Sequence, residues 1–193
     1  TMNEDETSTV TLSGSDADGD DINFVSNPVY DAQTNELIVS STLSSEDNVL
    51  TLTPAPDWFG EVEVPVSVYD ATGLSSSTTF TLIVENVNDG PTFNEFAGDL
   101  NINEDVPVTL NLSASDIDDT DLTFSAVATP EQSLNLTVDG AALTITPAEN
   151  YIGDAAVAVT VTDPGLLSET YSFNVNVIGL VDVPIIVAIP DVT

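Results

Sequence analysis

The segment Glu61-Val62-Glu63-Val64-Pro65-Val66-Ser67-Val68 carries valine at every second position. A period of two turns all of those valines to one side of an extended chain and leaves the intervening residues on the other. That is the pattern of a β-strand with one buried face. Pro65 has no amide hydrogen to give to a ladder, which places it at a sheet edge or a bulge.

The same alternation spreads outward from this segment. Upstream, Val10 and Leu12 alternate with Thr9, Thr11 and Ser13, and Ile22 and Phe24 follow an acidic turn. Leu37 to Val39 make a weaker strand, and Leu50 and Leu52 oppose Thr51 and Thr53. Downstream, Phe80, Leu82 and Val84 form a last strand. No stretch has a helical period. Trp58, just before the valine strand, is read as a core residue rather than a sugar platform.

The pattern then repeats. Asn3-Glu4-Asp5 recurs as Asn103-Glu104-Asp105, and Leu12-Ser13-Gly14-Ser15-Asp16-Ala17-Asp18 recurs as Leu112-Ser113-Ala114-Ser115-Asp116-Ile117-Asp118. Leu50-Thr51-Leu52-Thr53-Pro54-Ala55 matches Leu143-Thr144-Ile145-Thr146-Pro147-Ala148, at a shorter spacing that implies a loop of variable length. Short alternating strands with turn signals between them, in two copies, predict an all-β chain of two tandem Ig-like antiparallel Greek-key sandwiches. The expected boundaries are 1–90, 91–183, and 184–193 as the opening of a further repeat.

Composition limits what such a chain can do. Its 193 residues hold 33 Asp and Glu and no Lys, Arg or His, for a formal charge of -33. Internal salt bridges between side chains are therefore impossible. Two carboxylates 4 Å apart repel by roughly 4 kcal/mol at an effective dielectric near 20. Clustered acids must be solvated, protonated or bridged by an external cation. Nucleic acids and anionic membranes, which need basic patches, are excluded as partners. The absence of Cys and His leaves a carboxylate pair as the only catalytic chemistry, and the acids recur at joints rather than in a cleft, so no enzyme is expected.

Between the copies lies Glu85-Asn86-Val87-Asn88-Asp89-Gly90-Pro91, with side-chain oxygens at most positions and a proline that ends the strand leading into it. Asp16, Asp18, Asp20 and Asp21 crowd one turn, and Asp116, Asp118, Asp119 and Asp121 crowd its counterpart. Hard oxygen donors without nitrogen or sulfur select Ca2+ or Mg2+, and an irregular, flexible turn suits calcium better. The spacing is not that of an EF-hand, because Asp21 and Asn27 stand where Gly and Glu are required.

As a set, Asn3-Glu4-Asp5, Ser15-Asp16-Ala17-Asp18-Gly19-Asp20, Val68-Tyr69-Asp70, Val87-Asn88-Asp89-Gly90-Pro91 and Val161-Thr162-Asp163 make the chain resemble cadherin. It resembles still more the cadherin-like tandem repeats of large bacterial surface adhesins, of the repeats-in-toxin extender type. The resemblance implies Ca2+ at the joint, held by Glu4 and Asp57 from the first copy, Asn86, Asn88 and Asp89 from the linker, and Asp116, Asp118 and Asp163 from the second. It implies a secreted or cell-surface spacer whose partners are neighbouring repeats of the same polypeptide. The alternative is a calcium-dependent recognition module with a homophilic or glycan partner. At the next joint Gly179, Leu180 and Val181 replace Asn86, Val87 and Asn88, leaving Asp182, and weaker calcium binding is expected there.

Overall fold

A computed structural model of the chain describes residues 1–95, 98–181 and 184. All regular structure among them is β, and it falls into two compact units, Thr1–Val87 and Asn88–Thr193. The division lies inside the stretch read as the joint. None of the described residues forms a helix long and apolar enough to cross a membrane. Asp182 and the segment 185–193, read as part of a further joint and repeat, lie outside the described residues.

Unit 1 has eight strands: β1 (Met2–Asn3), β2 (Ser8–Thr11), β3 (Ile22–Ser26), β4 (Val29–Tyr30), β5 (Leu37–Leu43), β6 (Val49–Pro54), β7 (Gly60–Asp70) and β8 (Ser75–Glu85). They form two four-stranded sheets, in the orders β1-β8-β7-β3 and β2-β6-β5-β4. The chain crosses between the sheets from β1 to β2, β2 to β3, β3 to β4 and β6 to β7, as a Greek-key sandwich requires. The short β1 runs parallel to β8, with Met2 opposite Val84, whereas the other pairings are antiparallel. Val64 and Val66 of β7 meet Leu82 and Val84 of β8 and, from the facing sheet, Val39, Leu50 and Leu52. Trp58 packs on this core, half-buried. Burying each such aliphatic side chain contributes about 1.5–3 kcal/mol, so the alternation in sequence is also the main source of stability.

Pro65 departs from the position expected at a sheet edge or bulge. Its strand is interior to the sheet, between β8 and β3, not at an edge. The ladder with β3 stops at Ser26 opposite Val66, one residue before Pro65, so the missing amide hydrogen breaks no pairing on that side. The Ser26 hydroxyl donates to the Pro65 carbonyl at 3.0 Å and closes the end of the ladder.

Unit 2 repeats the plan with β9 (Thr92–Phe93), β10 (Leu100–Asn103), β11 (Val108–Asn111), β12 (Ala114–Ser115), β13 (Thr123–Thr129), β14 (Leu134–Asp139), β15 (Ala142–Pro147), β16 (Gly153–Thr162) and β17 (Ser168–Ile178). Its sheets run β10-β17-β16-β13 and β11-β15-β14, with a small β9-β12 pair. Leu143, Ile145, Val157, Val159, Phe173 and Val175 fill the centre. The variable loop is where unit 1 inserts β4 and the turn that follows it. Unit 2 instead turns directly from β13 to β14 through Pro130 and Ser133.

Candidate metal centre

One end of unit 2 gathers the acids. Asp116 and Asp118 lie in the loop between β12 and β13, Asp163 directly follows β16, and Asn88 and Asp89 precede β9. These segments meet through side chains. The Asn88 amide donates to Asp163 Oδ2 at 2.8 Å, and the Asp89 backbone N–H donates to Asp118 Oδ2 at 2.8 Å. Asp163 is only 3% exposed, and its other oxygen accepts from the Leu167 N–H at 2.8 Å. Asp116 Oδ1 accepts from the N–H groups of Asp118 and Asp119, at 2.9 and 3.0 Å, which folds the loop back on its own carboxylate.

Two features show that this end lacks positive charge. Asp116 Oδ2 is buried and has no hydrogen-bond partner, a costly state for a carboxylate oxygen. Asp119 has its carboxyl pushed above the ordinary range, first by burial and then by the charges of Asp116, Asp163, Asp118 and Asp121. Carboxylates within electrostatic reach of one another, one of their oxygens buried and unsatisfied, fit a hard divalent cation such as Ca2+.

The other sequence candidates lie together at one end of unit 1. Glu4 follows β1 and Asn86 follows β8, two strands in parallel register, and Asp57 precedes the start of β7 opposite the same end of β8. Glu4 is 2% exposed and accepts from the Val87 N–H at 2.7 Å. Its backbone N–H donates to the Glu85 carbonyl at 3.0 Å. Asn86 is exposed. Asp57 and Asp5 both take left-handed backbone conformations, with φ of 57° and 59°, and bring carboxylate oxygens within 4.8 Å of each other. Asp and Asn tolerate that conformation better than most residues. Unit 2 keeps the same backbone at Asp105 and Asn150 and buries Glu104 as unit 1 buries Glu4, with the Glu104 carboxylate accepting from the Leu180 N–H.

Asp5 and Asp119 are not among the ligands that the resemblance implies. Each stood inside a quoted motif, but the backbone turn that aims it is not encoded by spacing alone. The equivalent strand ends of the two units also solve one problem differently. In unit 1, Thr72 donates both its N–H and its hydroxyl to Asp70, each at 2.8 Å, and holds that carboxyl below its ordinary range. In unit 2 the corresponding residue is Gly165, and the partner comes from Asn88 instead. A Cβ on Gly165 would stand 2.6 to 2.8 Å from the Asn88 amide. Gly165→Ala is therefore expected to displace Asn88 and destabilise unit 2 by about 1–2 kcal/mol, at the lower end of overpacking costs because Asn88 is half exposed. Urea unfolding of the variant beside wild type checks this, and superimposable curves would refute it.

Comparison with known proteins bears on the fold. The bacterial Ig domain family matches twice, over residues 1–83 and 88–176. No curated protein matches the chain. Among solved structures, human protocadherin-24 EC1-2 is similar with a TM-score of 0.57 at 17% identity, over 93% of this chain and 93% of that one. Protocadherin gamma B2 extracellular cadherin domains 1–5 give 0.52 at 22% identity over 87% of this chain, which spans 35% of that structure. Human CDH23 EC21-23 gives 0.52 at 17% identity, over 82% of this chain and 58% of that one. At these identities the likeness is one of fold. Two family matches that between them take in both sandwiches nevertheless fix the kinship: the chain belongs to the bacterial Ig domain family.

Proposed function

We propose that the chain is a calcium-stiffened spacer, two tandem repeats of a secreted or cell-surface adhesin of the extender type, followed by a further repeat from residue 184. Its partners are then the neighbouring repeats of the same polypeptide, and it performs no catalysis. The observation that carries this reading is the buried, unpartnered Asp116 Oδ2, set among carboxylates in a chain with no side-chain cation. An ion must come from outside, and only oxygen donors are on offer.

Asn88, Asp89, Asp116, Asp118 and Asp163 would hold Ca2+ at the head of unit 2, and Glu4, Asp57 and Asn86 would hold it at the foot of unit 1. Asp5 and Asp119 join the set on their placement beside these groups. Calcium supplies charge neutralisation there and nothing chemical beyond it. The peptide bond between Val87 and Asn88 carries the chain from one ligand group directly into the other, so an ion shared by both would stiffen the joint. Extracellular calcium modules bind at roughly 10⁻⁴ to 10⁻³ M, concentrations found outside cells.

Calorimetric titration with calcium tests the reading. Wild type is expected to bind in that range, and Asp89→Ala and Asp118→Ala each to weaken binding at least about tenfold, equivalent to roughly 1.4 kcal/mol. A flat titration of wild type would end the proposal. Scattering profiles that superimpose with and without chelator would leave binding intact but remove the stiffening.

A further inference from the structure

We propose that unit 2 pairs edge to edge with unit 2 of a second copy of this chain, through strand β13. β13 is the last strand of its sheet, laddered to β16 over its whole length from Thr123 opposite Thr162 to Thr129 opposite Ala156. No strand among the described residues pairs with its far side. Its outward row of N–H and C=O groups is a template for another strand.

Proteins blunt such edges with charges, prolines and shortened strands, and unit 1 does so. There the equivalent strand β3 ends opposite Val66, one residue short of Pro65, so it has only five residues. The adjoining outer face of β7 carries Glu63. In unit 2 the residues corresponding to Glu63 and Pro65 are Ala156 and Ala158. Without the proline, β13 runs on to seven residues. Its sequence, Thr-Phe-Ser-Ala-Val-Ala-Thr, holds no charge, and neither does the neighbouring stretch from Ala155 to Thr162. Val127 stands 63% exposed on the outer face.

The occupant follows from charge. A chain of net charge -33 repels its own copies wherever their acids meet, so self-contact requires an uncharged surface on both sides. An identical β13 offers that surface at matching length. A basic partner would instead be drawn to the acidic loops. An antiparallel pairing about a two-fold axis at Val127 sets Ser125 of each copy against Thr129 of the other and brings the two exposed valines together. A two-fold contact uses up both edges, so association stops at a dimer.

Sedimentation velocity over a wide concentration range tests this in calcium and in chelator, since nothing in the edge requires the ion. The weight-average mass of wild type is expected to climb from one chain toward two. Val127→Glu and Ser125→Glu, both on the exposed face, are expected to weaken association at least about tenfold by setting like charges close together across the axis. Unchanged thermal melts show that these variants fold. Amide exchange within residues 123–129 should slow as wild type is concentrated. A wild type that stays single throughout overturns the proposal. So does association that survives Val127→Glu, or concentration-independent exchange in β13.

Discussion

Removing calcium from the proposed sites is expected to lower the melting temperature of the protein by roughly 10–20 °C. A ligand present at about 100 times its dissociation constant and bound only by the folded state adds about 2.7 kcal/mol. For a domain of about 100 residues each kcal/mol moves the midpoint by about 4–8 °C. With a dissociation constant near 10⁻⁴ M, roughly 10 mM calcium reaches that ratio. The proposed ion would act on groups that are costly without it. Asp163 and Glu4 are buried carboxylates, Asp116 Oδ2 has no partner, and Asp119 resists ionisation. Magnesium should replace calcium poorly, because it demands regular octahedral geometry and keeps its water. The measurement is differential scanning calorimetry in calcium, in magnesium and in chelator. Melts that coincide in calcium and chelator would show that the acids are simply solvated.

Much of this was readable in the sequence because both the core and the acids follow simple periods. Valines at every second position from Val62 to Val68 place the core strand, and the recurrence of Asn3-Glu4-Asp5 as Asn103-Glu104-Asp105 divides the chain in two. The segments holding Asn88, Asp89, Asp116, Asp118 and Asp163 meet at one end of unit 2 because each is a strand end or a connection, where turn-forming acids belong. The strand β1 was not readable, since two residues carry no period and its parallel pairing depends on where β8 ends. Pro65 misled for a related reason. Its tolerance depends on the length of the neighbouring β3, which the local sequence does not state. The role of Gly165 was equally hidden. It becomes visible only when Asn88, far away in the chain, is seen to need the space.

The effect of Asp116→Asn is expected to reverse sign with calcium. Asparagine keeps the side-chain oxygen that accepts from the Asp118 and Asp119 N–H groups. It replaces the buried, unpartnered Oδ2 with an amide donor among carboxylates, and it removes one of the charges that hold the Asp119 carboxyl up. In chelator the variant should therefore melt a few degrees above wild type. In calcium it should melt below wild type, because a ligand charge is gone and affinity falls on the order of tenfold. Acidity gives an independent reading of the same charges. A carboxyl raised above its ordinary 3.8 in the folded chain binds protons more readily there than when unfolded. Its contribution is fully present below 3.8 and is lost as pH rises through the folded value. Metal-free wild type should thus gain on the variant as pH falls from neutrality into the carboxylate range, closing the gap between them. With calcium present, protons should compete with the proposed ion and acidification should destabilise wild type instead. Comparing the two proteins should cancel the acid-labile carboxylates of unit 1, such as Asp70, whose hydrogen bonds from Thr72 and Leu74 involve no atom of Asp116. If Asp116→Asn shifts the midpoint in the same direction with and without calcium, the loop around Asp116 is a self-satisfied turn and the ion has no place in it.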